Sequence, residues 1–149
     1  LFEKGFDGTA MIALARAYSP NLDNPPFYAD MPFSWKGDSL ITHHDVLEKW
    51  YNNLPYDMLD SYAENFSKLK AFKIDWGKYD DYNHIPVTSR TFSEKLDALG
   101  IEHYAEEYFG DHGTKLWSLD GRMINNVLPF FDTYLQFESA NQPTTSTND

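Results

Sequence analysis

Two short polar loops hold the residues best suited to chemistry. The first, 77–86, reads Gly-Lys-Tyr-Asp-Asp-Tyr-Asn-His-Ile-Pro and offers Asp80 and Asp81; the second is Gly110-Asp111-His112-Gly113. A carboxylate that meets a histidine fixes the imidazole tautomer and stabilises the imidazolium, so that the other ring nitrogen can take a proton from a nucleophile. Asp80 precedes His112 by 32 positions (112 − 80). Each residue alone has a plainer reading: an Asp after a glycine turn is usually a turn residue, and a His between Asp and Gly is usually an ordinary loop histidine. Chemistry requires that the two loops lie side by side, so the elements that carry them matter most.

Residues 69–76 (LKAFKIDW) alternate in part, with Phe72, Ile74 and Trp76 on one face and Lys73 and Asp75 on the other, which predicts a strand closed by Gly77. Residues 88–99 predict a helix with Phe92, Leu96 and Leu99 on one side and Gly100 as its left-handed cap. A second strand is expected over 101–109, closed by Gly110. From Ser118 a last helix carries Met123, Ile124, Val127, Phe131, Tyr134 and Leu135, and Pro129 is expected to kink it.

Upstream, 10–18 (AMIALARAY) is apolar and ends at Ser19-Pro20. A buried strand leaving the sheet is the preferred reading, because proline disfavours the helical region in the residue before it; a short Ala- and Leu-rich helix is the competing one. Residues 21–35 are proline-rich and read as an extended excursion. Ser39 or Thr42 is expected to cap a helix through Asp45, Val46, Leu47, Trp50 and Tyr51, and Met58, Leu59, Tyr62 and Phe66 form a second helical stripe after Pro55. Strands alternating with helices predict an α/β fold with a parallel sheet and covered faces. Ligands in such sheets sit at the carboxyl ends of the strands, which here means the loops after Trp76 and Phe109.

The segments 74–80 (IDWGKYD), 84–86 (HIP), 92–96 (FSEKL), 99–101 (LGI), 107–112 (EYFGDH) with Leu116-Trp117, and 127–131 (VLPFF) together resemble the closing half of an esterase family of α/β-hydrolases. That family includes feruloyl-esterase-like and S-formylglutathione-hydrolase-like enzymes. The likeness runs from about residue 10 to 137. It implies the carboxyl-terminal strands of an α/β-hydrolase sheet over 1–137, with 21–68 as a lid-like insertion. It also implies carboxylic-ester hydrolysis in which Asp80 is the triad acid, with Asp81 as the alternative, and His112 the base. In such enzymes the order is serine, acid, histidine, the serine standing in a G-x-S-x-G elbow.

No such elbow exists here. Ser39, in Gly37-Asp38-Ser39-Leu40-Ile41, comes nearest but lacks the second glycine; Gly5-Phe6-Asp7-Gly8 has Asp7 where a nucleophile would stand. The expectation is therefore a fragment whose serine lies upstream of Leu1, inactive alone. The alternative is a non-catalytic half-domain that self-associates or binds a partner, since a half-sheet leaves an edge unpaired. His84, Trp117 and Trp35 are candidates for the substrate pocket, each with a plain reading as turn or core residue. The aromatics of 21–68 (Phe27, Tyr28, Phe33, Trp35, Trp50, Tyr51, Tyr56) could shape it. A metal site at His43-His44-Asp45 or at His84 and His112 is disfavoured, because adjacent histidines do not share a helix face and no H-E-x-x-H spacing occurs. His103 is read as structural, and no cofactor is called for.

The 149 residues suit one domain, and 42% hydrophobic and 17% aromatic residues supply a core. A net charge of −11 repels phosphate, which argues against nucleic acid or an anionic membrane as partner. The expected partners are a small ester in the full-length parent and a second copy or other chain completing the sheet. Without cysteine there is no disulfide, and the compartment stays open. The first residues have neither the basic nor the apolar region of a secretion signal and no initiator Met, as expected of a processed or partial chain. Residues 138–149 (ESANQPTTSTND) are expected to be a disordered tail.

Overall fold

The computed structural model describes residues 6–136, so the expectations for Leu1, Gly5 and the 138–149 tail lie outside the described residues. Helices and strands are mixed, with a small parallel sheet. The chain divides between Glu64 and Asn65 into two compact units.

In the first unit, α1 (Phe6–Tyr18) is followed by the strands β1 (Phe33–Lys36) and β2 (Ser39–Thr42), then α2 (His44–Tyr51) and α3 (Pro55–Phe66), whose last two residues belong to the second unit. The strand expected over 10–18 is therefore a helix. Ala, Met, Leu and Arg are among the best helix formers, and Arg16 complements the carbonyl end of the last turn. Pro20 stands just past the last turn, but what precedes it is a helix. The core joins Ala15, Ala29, Val46 and Trp50, with Met11, Tyr18 and Met31 packed against it. Ser19 is fully buried; its hydroxyl donates to the Asp30 carbonyl (2.8 Å) and accepts from Trp50 Nε1–H (2.8 Å).

The excursion over 21–35 is not simply extended. It turns back so that Pro20 bridges Ala29, and then enters an antiparallel hairpin with Phe33 opposite Thr42 and Lys36 opposite Ser39. Gly37, at φ +59°, supplies the left-handed residue of its two-residue turn. Ser39 and Thr42 are thus strand residues and not helix caps. His43 stands at the N-cap of α2 without a side-chain cap bond; its ring instead pairs with the Ser34 hydroxyl (2.8 Å).

In the second unit, β3 (Lys73–Gly77), α4 (His84–Ala98) and β4 (Tyr104–Tyr108) form a strand–helix–strand unit, with β3 and β4 parallel. The helix starts at His84, earlier than expected, and ends as expected at Gly100, whose φ is +69°. There the Gly100 and Ile101 amides donate to the carbonyls of Asp97 and Leu96. Side chains alternate across the pair. On one face the register partners Trp76 and Glu107 are joined by Trp76 Nε1–H donating to Glu107 (3.1 Å), and Arg90 of α4 pairs with the same carboxylate. On the other face the register partners Asp75 and Glu106 would repel each other. Arg122 resolves this by donating to both (2.7 and 2.9 Å), with the Tyr108 ring over its guanidinium at 4.1 Å.

The last helix begins later than Ser118. A π-helical turn (Met123–Val127) runs into α5 (Leu128–Tyr134), with Pro129 in the first turn of α5. Across this junction the Leu128 amide still donates to the Met123 carbonyl, so Pro129, which has no N–H to give, stands where the π turn has already interrupted the regular ladder.

Candidate functional site

The carboxyl ends of β3 and β4 are adjacent, because Gly77 is the register partner of Tyr108. Beyond them the loops are zipped together by backbone: Lys78 N–H donates to the Tyr108 carbonyl and Tyr79 N–H to the Gly110 carbonyl, both at 2.9 Å. Gly77 makes this approach possible. A Cβ there would stand 2.6 Å from the Asp111 carbonyl oxygen and 2.7 Å from that of Gly110.

The zipped loops bring Asp80 and His112 together. His112 Nδ1 lies 2.8 Å from Asp80 Oδ2, and the other carboxylate oxygen accepts from the Tyr82 amide (2.9 Å). The two side chains are unequally placed: Asp80 is 2% exposed and His112 61%. A buried carboxylate below an exposed imidazole leaves Nε2 as the edge able to exchange protons with an incoming group. Burial by itself raises the Asp80 carboxyl, but the hydrogen bonds from His112 and the Tyr82 amide, with the charges of His112 and His84, hold it below its ordinary value.

The histidine loop is stiffened from within. Asp111 Oδ1 accepts from the Gly113 amide (3.0 Å) and the Thr114 hydroxyl (2.7 Å), while Asp111 N–H donates to Thr114 Oγ (2.9 Å). The Thr114 hydroxyl, followed by the Gly113 amide, holds the Asp111 carboxyl below its usual range. The Tyr108 hydroxyl donates to the Asp111 carbonyl (3.1 Å). Asp111 is therefore a loop-building residue that sequence reasoning passed over; its signal was an Asp followed by Gly and Thr two and three positions on, the pattern of a side-chain-capped turn.

The other candidates fall in different places. Asp81 is exposed, and the carboxylate that meets His112 is that of Asp80. His84 opens α4, and its ring lies 6.2 Å from that of Tyr82. Tyr82 in turn stands edge-on to His112 with centroids 5.2 Å apart, a neighbour that the sequence reading did not single out. Trp117 is 76% exposed, which removes its plain reading as a core aromatic. Trp35 belongs to the first unit, where it lines an apolar cavity of about 260 Å³ with Met11, Ile12, Phe27, Met31 and Phe33.

A second serine–histidine contact exists and has a structural role. Ser93 Oγ is 2.7 Å from His103 Nε2, and His103 Nδ1 faces the Ile101 carbonyl at 3.0 Å. Nδ1 thus carries the proton and Nε2 accepts from the hydroxyl, which ties α4 to the start of β4. Ser93 is buried and the His103 side chain is 3% exposed, so a substrate cannot reach this hydroxyl. Among the described residues no group of His, Asp or Glu is arranged to hold a metal ion, and no helix is long and apolar enough to cross a membrane.

No family model matches this chain. No curated protein matches it significantly either.

Proposed function

We propose that this chain supplies the acid and the base of a serine carboxylic-ester hydrolase with an α/β-hydrolase fold, the nucleophile coming from a segment outside these 149 residues. The observation that carries the reading is the buried Asp80 carboxylate against Nδ1 of the exposed His112, at the carboxyl ends of adjacent parallel strands. In the reaction, His112 Nε2 takes the serine proton as the hydroxyl attacks the ester carbonyl. It then returns that proton to the leaving alcohol, leaving an acyl-enzyme. A water molecule, deprotonated in the same way, attacks the acyl carbonyl and releases the acid and the free serine. Asp80 keeps Nδ1 protonated throughout and stabilises the imidazolium. His84 and Trp117 border the substrate in this reading.

The test is an ester assay on the chain extended upstream by its own coding sequence. Asp80→Asn should lower turnover by about 10⁴-fold through the wrong tautomer, and Asp81→Asn should have a mild effect. The reverse pattern would reassign the acid, and equal activity of both variants would remove the triad. The 149-residue chain should not react with a fluorophosphonate probe. Labelling of it would mean that the nucleophile lies within it.

The alternative, a non-catalytic module completed by another chain, draws on the lack of a G-x-S-x-G elbow and on the two outer edges of the β3–β4 pair. Both readings predict that the isolated chain associates through these edges.

A further inference from the structure

Tyr82 touches both members of the Asp80–His112 pair, by different parts of the residue. Its amide donates to Asp80 Oδ1 at 2.9 Å while Oδ2 faces His112 Nδ1 at 2.8 Å, so each carboxylate oxygen has a donor and the group is held against rotation. Its ring meets the imidazole at 72° with centroids 5.2 Å apart, an edge-to-face contact. The Tyr82 carbonyl accepts from the Ile85 amide (2.8 Å) in the first turn of α4, so the residue is fixed to the helix that begins at His84.

The ring has a task because His112 is 61% exposed. Exposed side chains change rotamer on the picosecond-to-nanosecond scale, and a single hydrogen bond to a carboxylate leaves the imidazole free to swing or flip about that bond. A ring packed against it removes rotamers that carry Nδ1 away from Asp80.

We infer that Tyr82 is the positioning residue of the pair: its amide locks the Asp80 carboxylate and its ring holds the His112 imidazole over it, so that Nδ1 keeps the proton and Nε2 faces outward. This rests on the acid–base reading of Asp80 and His112. Beside the imidazole stand the titratable groups Asp80 and Tyr82, with Asp111 next to His112 in the chain and the His84 ring 6.2 Å from that of Tyr82. Substituting the tyrosine side chain leaves the amide bond to Asp80 in place, so the ring can be tested separately.

The experiment is ¹⁵N imidazole spectroscopy of the whole 149-residue chain with neutral histidines, His112 being assigned by its loss in His112→Gln. The unsubstituted chain and Tyr82→Phe should both show the Nδ1–H tautomer at His112. Tyr82→Ala and Tyr82→Leu should shift the signals toward a tautomeric average, with thermal melts showing that both variants remain folded. Retention of the pure Nδ1–H pattern in Tyr82→Ala and Tyr82→Leu overturns the inference. So does a Tyr82→Phe spectrum like that of Tyr82→Ala, since the hydroxyl and not the ring would then matter. In the extended chain, Tyr82→Ala should lower kcat at unchanged KM, with Tyr82→Phe restoring it. If the tautomer shifts while Asp80→Asn leaves ester turnover intact, the positioning stands and the hydrolase reading fails.

Discussion

At the scale of single residues, the hydrogen bonds that Asp80 accepts from His112 and the Tyr82 amide have a consequence for stability that needs no nucleophile. The folded Asp80 carboxyl lies below its ordinary value of 3.8, so the folded chain takes up that proton less readily than the unfolded chain. Its contribution to stability is therefore fully present above the unfolded value and is lost as pH falls through the lower folded one. Asp80→Asn should flatten part of the acid limb of the stability–pH curve, below about pH 4. The flattening is partial because Asp30, Glu106, Glu107, Asp111 and Asp120 are lowered in the same direction by their own partners. Urea midpoints across the acid range, with Asp81→Asn as control, measure this; an unchanged slope in Asp80→Asn would show that the His112 contact does not persist in solution. Ser19 makes a sharper case in the first unit. Ser19→Ala leaves the buried Trp50 indole N–H without its acceptor, a loss of about 1–3 kcal/mol readable as a lower melting temperature.

At the scale of elements, Gly77 decides whether the two loops can meet. The methyl group of Gly77→Ala would collide with two carbonyl oxygens of the histidine loop, atoms that cannot yield without moving backbone. A cost of about 1–3 kcal/mol is expected, as for other over-packed sites. Separation of His112 from Asp80 should accompany it, visible in the same imidazole spectra; an unshifted His112 would mean that the loop tolerates the displacement. This element pair was legible in the sequence because its signals are local. Phe72, Ile74 and Trp76 alternate, Gly100 caps a helix, and Gly77 and Gly110 close strands of matching order. The first unit was not, for two reasons. Residues 10–18 are apolar but for Arg16 and show no clear period in the sequence, so helix propensity decided against the strand. The hairpin's signal was present in Gly37-Asp38, a two-residue turn type, but its strands are largely exposed and show no alternation of buried and open positions. Tyr82 and Asp111 were missed because their roles are set by contacts across loops that spacing alone does not reveal.

At the scale of the whole molecule, the described sheet is too small to be self-sufficient. Parallel strands occur almost entirely in sheets covered on both faces, and a two-stranded pair has an unpaired edge on each strand. Close to the pair in sequence, Phe109, Trp117 and Leu119 are 78%, 76% and 88% exposed. Unpaired edges and open aromatic surface both favour association with a second chain, while the net charge of −11 opposes it between like copies. The two forces separate by their response to salt. Screening weakens the repulsion over a Debye length of about 8 Å at physiological ionic strength and leaves burial of edges and rings intact. The molar mass measured by light scattering during size exclusion should therefore rise above that of a 17.3 kDa monomer with protein concentration, and more steeply at higher salt. A monomer mass at every concentration and both salt levels, with one cooperative melt, would mean that the sheet closes within this chain and needs no partner.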